Sequence, residues 1–301
     1  MSEPFGIVNL IKPPAITSFQ AVAFLKRKLG CKKAGHTGTL DPAASGVLPI
    51  CLGPATRLIP FLPENEKEYV AEITLGTVTD TLDAQGKIVA RNKNWQHLTT
   101  KEIEEVINSC RGKIEQLPPM FSAVHYQGKR LYQLAREGKV VQRQPRSVEI
   151  FKIKLLGIDL PRLRLRLSCS KGTYVRSLAD DIGKKLGSGG YLSFLVRSRS
   201  GPFRLDDGVT IEELENAASQ YVLPADLFLD YRRLILKKKA ERKAKSGIKL
   251  SAADLLQLPE DLTAGDKVLL FTSENVFISI NEIIKDREGN FAYKPLRVFN
   301  L

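Results

Sequence analysis

Alternating apolar and polar positions predict two well-defined strands in the chain. Across residues 162–169, four apolar positions alternate with Arg162, Arg164 and Arg166. Successive side chains of a strand point to opposite faces, so the arginines face one way and the apolar residues the other. Residues 67–77 alternate in the same manner. Both segments are therefore expected to form half-buried strands.

Three segments carry the signals of helices. One begins at Thr17 or Ser18, which can cap it, and has apolar residues at helical spacing along one side. Another begins at Thr99, and Glu102 three residues later completes a capping box. A third lies between residues 172 and 187, each of which is a glycine.

Shorter strand signals lie at Phe5–Ile11 and around Leu195 and Val196. Strands and helices mix without a steady β-α-β rhythm, and no internal repeat is evident. This order predicts the α+β class, with largely antiparallel pairing in the sheet.

A change in composition predicts a domain boundary near residue 230. Between Tyr231 and Leu250 the chain has nine basic residues and one acid, Glu241. This stretch favours either a solvated helix face or a face that contacts phosphate. Two short strand signals follow, at residues 268–271 and 276–280, and then a short tail. We expect domains at residues 1–230 and 231–301.

Composition narrows the class of protein. The chain has 301 residues, of which 43% are hydrophobic and 26% charged, as in soluble globular proteins. No apolar run approaches the roughly 20 residues that a membrane helix needs, and the first ten residues lack a signal-peptide layout. The four cysteines are scattered without a Cys-x-x-Cys pair, which argues against a zinc site or a disulfide framework and fits a cytoplasmic location.

Charge points to a polyanionic partner. The 46 basic and 33 acidic residues give a net charge of +13. Nucleic acid is the simplest partner for such a surplus, although anionic membrane surfaces also attract it.

One loop has the composition of a rigid carboxylate holder. Residues 35–50 contain three glycines and two prolines, with Asp41 near the centre. Glycines allow turns that other residues resist, and Pro42 biases Asp41 toward an extended conformation. The alternative is an ordinary turn, because Asp-Pro pairs are common in turns.

The full motif resembles a known family. Residues 35–58, GHTGTLDPAASGVLPICLGPATRL, resemble the catalytic motif of the TruB family of tRNA pseudouridine synthases. The resemblance covers roughly 200 residues, and further motifs follow in the family's order at residues 67–69, 76–81, 118–123, 128–138 and 169–183. One departure is Ala15, which stands where many members have glycine.

The resemblance implies a fold, an activity and a partner. The fold would be a pseudouridine synthase domain, with a mixed sheet and flanking helices, followed by a small PUA-like β module. The activity would be isomerisation of the uridine at position 55 in the T loop of tRNA, without cofactor or metal. The T stem-loop would be the main contact and the acceptor end a further contact of the C-terminal module. No obligate protein partner is inferred.

The resemblance also assigns roles to residues. Asp41 would be the catalytic carboxylate, and Arg176 the cation that keeps it ionised, because a guanidinium stays charged and offers a planar fork. Tyr69 would stack on the target uracil and serve as a candidate base. The chemistry leaves open whether Asp41 attacks the sugar or the base, or assists loss of a sugar proton. The substrate-binding residues would be His36, Lys67, Tyr174 and Leu195.

Two other functions compete with this hypothesis. A non-catalytic RNA-binding or tRNA-folding protein would suit the basic charge equally well. A glycosidase or nuclease could use Asp41 as a nucleophile, but it would usually need a second carboxylate or a cluster of acidic metal ligands. Asp80 and Asp83 lie close together in sequence, and the simpler interpretation places them in the turn after the Tyr69 strand.

Overall fold

The computed structural model describes residues 3–63, 66–258 and 261–300. The described strands are β1 Gly6–Lys12, β2 Ala34–His36, β3 Ser45–Leu52, β4 Glu66–Leu75, β5 Thr77–Thr79, β6 Ile88–Arg91, β7 Gly112–Gln116, β8 His125–Tyr126, β9 Lys129–Arg130, β10 Arg146–Asp159, β11 Arg162–Ser170, β12 Gly190–Ser200, β13 Phe203–Arg204, β14 Arg232–Ile235, β15 Leu250–Ser251, β16 Lys267–Phe271, β17 Phe277–Lys285 and β18 Phe291–Val298. The α-helices are α1 Ser18–Lys28, α2 Thr100–Asn108, α3 Leu131–Arg136, α4 Val175–Lys185, α5 Ile211–Ala217 and α6 Glu241–Lys245.

A nine-stranded sheet organises the first part of the chain. Its main path runs β1-β3-β12-β4-β11-β10-β7, with β2 beside β3 and β13 beside β12. The β12–β3 pair is parallel, and the other pairs of this sheet are antiparallel. The predicted mixed, largely antiparallel sheet is therefore confirmed.

Alternation decides which face of the sheet is buried. In β11 the apolar residues, among them Leu163 and Leu165, are fully buried, whereas Arg162, Arg164 and Arg166 are exposed. In β4 the buried set begins at Tyr69. Helices α2 and α4 pack on this apolar face and complete the larger core. The strand predicted at 162–169 is confirmed. The strand predicted at 67–77 is confirmed as far as Leu75, where Gly76, with φ of +80°, separates β4 from β5.

The predicted helix starts are also confirmed. Thr17 caps α1, and Gln20 completes a capping box with it. At α2 the Thr99 backbone N–H donates to the Glu102 carboxylate at 2.7 Å, and the Glu102 N–H donates back to the Thr99 hydroxyl at 3.3 Å. These bonds satisfy amide groups that the first turn of a helix leaves unpaired.

A second, five-stranded sheet forms the C-terminal module, in the order β14-β16-β17-β18-β15. The two predicted strands are present as β16 and β17. The prediction of a short tail after them is wrong, because Phe291–Val298 forms β18 between β17 and β15. Lys294 and Pro295 interrupt the apolar alternation of β18, so its sequence has no clear strand signal.

The basic stretch between residues 231 and 250 is not one helix. It is divided between β14 and the five-residue helix α6, with a 3₁₀ turn at Lys238–Ala240 and β15 at its end. Most of its cationic side chains are exposed. Contact with phosphate remains a prediction for this stretch.

The two sheets share a core. Ile7 of β1 and Val47 of β3 belong to one buried cluster with Phe271, Phe277 and Phe299 of the C-terminal module. The Phe277 and Phe299 rings lie 5.3 Å apart. The module therefore covers the outer face of the large sheet at β1 and β3, whereas the outward side chains of β10 and β11 remain exposed.

Ala15 adopts a backbone conformation that favours glycine. Its φ is +68°, and its N–H donates to the Pro42 carbonyl at 2.9 Å, beside Asp41. The left-handed region places Cβ close to the following carbonyl, which destabilises an alanine by about 1–2 kcal/mol. The substitution of Ala15 for the family's glycine therefore strains the turn without removing its hydrogen bond.

We expect Ala15→Gly to stabilise the protein by up to about 1 kcal/mol, because relief of the strain exceeds the entropy that glycine loses on folding. For a chain of 301 residues that corresponds to a rise in Tm of up to about 1.6 °C, measured by calorimetry. Ala21→Gly, inside α1 where alanine is fully buried, is the control and should lower Tm. An unchanged or lower Tm for Ala15→Gly would contradict the strain.

Candidate active site

The loop between β2 and β3 is fixed by hydrogen bonds on both sides of Asp41. The buried Ser18 hydroxyl donates to the Leu40 carbonyl at 2.9 Å and accepts from the Leu40 N–H at 2.8 Å. The Ala44 N–H donates to the Asp41 carbonyl at 3.1 Å. Gly46 has φ of +104°, and a Cβ there would collide with the backbone of Arg197. Glycine is therefore required where the loop enters β3.

Asp41 forms a two-pronged ion pair with Arg176 at the start of α4. Arg176 Nε lies 2.9 Å from Asp41 Oδ2, and its Nη2 donates to Oδ1 at 3.2 Å. The guanidinium also donates to the carbonyls of Thr81 at 3.1 Å and Phe121 at 2.8 Å. The Arg176 side chain is only 5% exposed, whereas that of Asp41 is 37% exposed. The Asp41 carboxylate is therefore accessible to a ligand, whereas the Arg176 guanidinium is buried and held by backbone carbonyls.

A second carboxylate approaches the same guanidinium. Asp83 Oδ2 lies 3.7 Å from Arg176 Nη1, and Asp83 Oδ1 accepts hydrogen bonds from the Thr81 hydroxyl at 2.6 Å and the Gln85 N–H at 3.0 Å. Asp83 does lie in the turn after the Tyr69 strand, between β5 and β6. No sequence pattern connects Asp83 with Arg176, because the two residues are 93 positions apart.

Arg197 is a further residue that the sequence left unassigned. Its side chain is fully buried, and its guanidinium donates to the carbonyls of Val47 at 2.8 Å, Gly38 at 3.0 Å and Thr39 at 3.4 Å. It lies directly opposite Tyr69 in the β4–β12 register. Arg197 therefore joins both ends of the Asp41 loop to β12, the strand beside the one that carries Tyr69.

Lys12 supports the loop from the other side. Its buried amine donates to the carbonyls of Pro13 at 2.7 Å, Ile16 at 2.8 Å and Pro42 at 3.3 Å. Burial lowers the pKa of Lys12 to about 8, although the nearby Asp41 carboxylate raises it. Lys12 lies three residues before Ala15, and nothing in the sequence pattern assigns it a role.

A pocket of about 220 Å³ opens over Asp41. It brings together six of the seven predicted site residues, which are Asp41, Lys67, Tyr69, Tyr174, Arg176 and Leu195. The seventh, His36, lies outside this lining at the end of β2. Its Nδ1 is buried and makes no hydrogen bond with the described residues.

Burial shifts the ionisation of the central groups. It raises the pKa of Asp41, and the neighbouring Asp83 carboxylate adds to this, whereas the Arg176 guanidinium opposes it. Burial likewise raises the pKa of Tyr69 against the opposing charge of Arg197, so the phenol is neutral at physiological pH. Burial and two nearby cations lower the pKa of His36, which keeps the imidazole neutral as well.

The described ranges hold no cluster of three or more His, Cys, Asp or Glu side chains with the spacing of a metal site. In those same ranges, no helix is both long enough and apolar enough to cross a membrane.

Family models match consecutive parts of the chain. Residues 26–175 match the N-terminal domain of the TruB family pseudouridylate synthases, and residues 176–235 match the C-terminal domain of tRNA pseudouridylate synthase B. The chain belongs to the TruB family. Relatives named tRNA pseudouridine synthase B support this along the whole chain. The relative from Pelotomaculum thermopropionicum is 44% identical, over 97% of this chain and 96% of its own length. The relative from Geobacillus thermodenitrificans is also 44% identical, over 98% of this chain and 99% of its own length.

Solved structures show the same fold. A Cbf5-Nop10-Gar1 complex contains a chain with a TM-score of 0.71 and 28% identity, over 98% of this protein and 85% of that chain. The matching chain of an H/ACA RNP bound to a substrate RNA containing 2'-deoxyuridine has a TM-score of 0.72 and 26% identity, over 99% of this protein and 86% of that chain. The TruB-family fold therefore includes both the large sheet and the C-terminal module, and the PUA-like assignment of the module agrees with this.

We expect the acid limb of kcat/KM for pseudouridine formation to lie above the ordinary aspartate value of about 3.9, because protonation removes the Asp41 carboxylate and burial raises its pKa. In Arg176→Gln the limb should move to still higher pH, since the stabilising cation is lost. A pH profile of turnover measures both. Arg199→Gln is the matched control, because Arg199 pairs with Glu66 and Glu68 instead. A limb that does not move in Arg176→Gln would refute this coupling.

Proposed function

We propose that this protein converts the uridine at position 55 of the tRNA T loop to pseudouridine, in the cytoplasm and without a cofactor. TruB-family membership supports the reaction class. The observation that carries the assignment of residues is the Asp41–Arg176 ion pair, which faces a pocket whose size suits one nucleobase.

The reaction needs an ionised carboxylate that stays reactive after desolvation. Removal of water around an aspartate favours its protonated form, and a guanidinium in contact opposes that preference. Arg176 supplies this contact at 2.9 and 3.2 Å while one third of the Asp41 side chain remains accessible. Asp41 is therefore the group that acts on the nucleotide as the glycosidic bond breaks and reforms through carbon.

The freed uracil must stay in the pocket while it turns. Tyr69 and Leu195 provide the aromatic and apolar walls, and Lys67 and Tyr174 line the same space. A neutral tyrosine ring suits stacking on a base, because the contact requires the π face and no charge. Confinement by these walls favours rejoining over escape of the base.

Access to uridine 55 requires that the nucleotide leave its stack. Unstacking costs a few kcal/mol, and a side chain that occupies the vacated space offsets part of this. His36 is the candidate, since it lies at the rim of the Asp41 loop, outside the pocket, and is neutral at physiological pH. Its role is to bind RNA and not to act as an acid or base.

The two domains would have separate roles in binding tRNA. Residues 1–230 would hold the T stem-loop over the pocket, and residues 231–301 would form the PUA-like RNA-binding domain. The exposed cations between residues 232 and 249 suit a contact with the acceptor end of the same tRNA.

The alternative functions make different demands on the site. A tRNA-binding protein without activity has no use for a carboxylate held beside a buried guanidinium in an open pocket. A glycosidase would release free uracil from the RNA, and a nuclease would cleave the RNA backbone. Both products are detectable in the same RNA incubation, and neither is expected.

We expect Asp41→Asn to abolish tritium release from 5-tritiated uridine in a T-arm stem-loop while the affinity for that RNA remains. The amide keeps the shape of the side chain but cannot supply a negative charge. Arg176 keeps its bonds to the Thr81 and Phe121 carbonyls, so the fold should survive. Asp207→Asn, at an exposed aspartate, is the control and should turn over normally. Near-normal turnover by Asp41→Asn would overturn the assignment.

A further inference from the structure

The three arginines that alternate along β11 have no part in the proposed reaction. They lie on the outward face of the large sheet together with two lysines of β10. We call this set the outer basic face, and its members are Lys152, Lys154, Arg162, Arg164 and Arg166. All five are exposed.

The outer basic face is short of counter-ions. The Glu72 carboxylate of β4 lies 3.4 Å from Arg164 Nε and 4.0 Å from Arg162 Nε. Asp159 stands opposite Arg162 in the β10–β11 register. Within the described ranges, Lys152, Lys154 and Arg166 take part in no ion pair. Two carboxylates therefore contact or oppose the five cations, and two more on the outward side of β4, Glu66 and Glu68, stand opposite Ser170 and Ser168 of β11. Both Glu66 and Glu68 form ion pairs with Arg199 of β12.

Two of the unpaired cations stand directly across from each other. Lys154 and Arg166 are partners in the antiparallel β10–β11 register. Like charges in that position destabilise a sheet by about 0.2–1 kcal/mol. The fold does not require this pair, since a neutral residue at either position would serve the strand equally well.

The geometry of the face suits a chain of phosphates. Residues two apart on a strand are separated by about 6.6–6.8 Å, so the three arginines form a straight row of evenly spaced charges. Arginine is also suited to two-pronged contact with phosphate.

The face lies on the opposite side of the sheet from the catalytic pocket. Arg166 is paired with Val70, whereas the next residue along β4, Tyr69, faces the pocket. A T-arm stem-loop seated over Asp41 therefore does not account for these charges. A longer RNA can pass the edge of the sheet and reach both sides.

We propose that the outer basic face binds the phosphate backbone of the substrate tRNA at a segment outside the T stem-loop. The inference takes from the proposed function that the substrate is tRNA. The row of arginines and the unpaired cations favour RNA over an acidic protein, which would need carboxylate-matched pockets and more apolar surface than this face offers.

The test replaces the opposed pair in Lys154→Gln/Arg166→Gln and measures binding of full-length unmodified tRNA over a series of salt concentrations. Each lost phosphate contact lowers the slope of log K against log salt by about 0.7–0.9, so the double variant should lose about 1.4–1.8. Affinity and turnover with the isolated T-arm stem-loop should stay unchanged. The Tm should be equal or higher, because a like-charge pair is removed.

The matched control is Lys101→Gln/Arg111→Gln, which removes one exposed lysine in α2 and one exposed arginine between α2 and β7. It should leave the slope for tRNA unchanged. An unaltered slope in the Lys154/Arg166 variant, or an equal loss with the stem-loop, would overturn the proposal. Vesicles of phosphatidylcholine and phosphatidylserine are the competing probe, and binding to them that depends on this pair, with an unaltered tRNA slope, would assign the face to a membrane.

The two proposals can fail separately. Tritium release by the wild-type protein tests the reaction, whereas the salt slope tests the face. A wild-type protein without turnover that still shows the slope difference would refute the proposed activity and retain the outer basic face.

Discussion

The ion pair between Asp41 and Arg176 is the interaction on which the site depends. It joins a loop near the start of the chain to a helix 135 residues later, across the middle of the large sheet. Arg176 is almost fully buried, and a buried cation needs partners on every donor. Two backbone carbonyls and a second carboxylate, Asp83, satisfy the donors that Asp41 does not. The guanidinium is therefore positioned by the protein, and Asp41 is positioned by the guanidinium.

The loop itself is held by cations that meet no carboxylate partner among the described residues. Arg197 and Lys12 are both fully buried, and each donates to three backbone carbonyls at or beside the loop. Charged donors make stronger hydrogen bonds than neutral ones, which compensates part of the desolvation of each cation. Because these bonds reach the backbone, they fix where Asp41 stands without competing for its carboxylate.

Local signals predicted the parts of the fold that depend on local structure. The alternation in β4 and β11 and the capping box at Thr99 are properties of neighbouring residues, and the structure confirms them. Strand β18 was missed because Lys294 and Pro295 break its alternation. Its pairing with β17 and β15 holds it in the sheet, and this long-range contact is not visible in its own sequence pattern. The charge of the basic stretch favours either a solvated helix face or a face that contacts phosphate, and charge alone does not distinguish a helix from short mixed elements.

The same distinction applies to the site. Asp41, Tyr69 and Arg176 could be named because they stand in long motifs, and the pocket brings them together. Arg197 and Asp83 could not, because their roles arise from contacts across the sheet. An arginine in a strand gives no sign from sequence that its side chain is buried against the carbonyls of residues 38, 39 and 47. His36 was named from the same motif as Asp41, yet the fold places it outside the pocket lining.

The cations of the outer basic face cannot be explained as a means of tuning Asp41. Charges screened by solvent lose most of their influence beyond about 8 Å at physiological ionic strength, and these side chains are exposed on the far side of the sheet. Among the neighbouring charges, Arg176, in direct contact with Asp41, has the largest effect on the pKa of that carboxyl. The arginines of β11 also contribute nothing to the core, since the apolar residues between them supply its packing. A row of charges that serves neither the core nor the carboxylate, and that sets Lys154 against Arg166, is best accounted for by a polyanion that neutralises it.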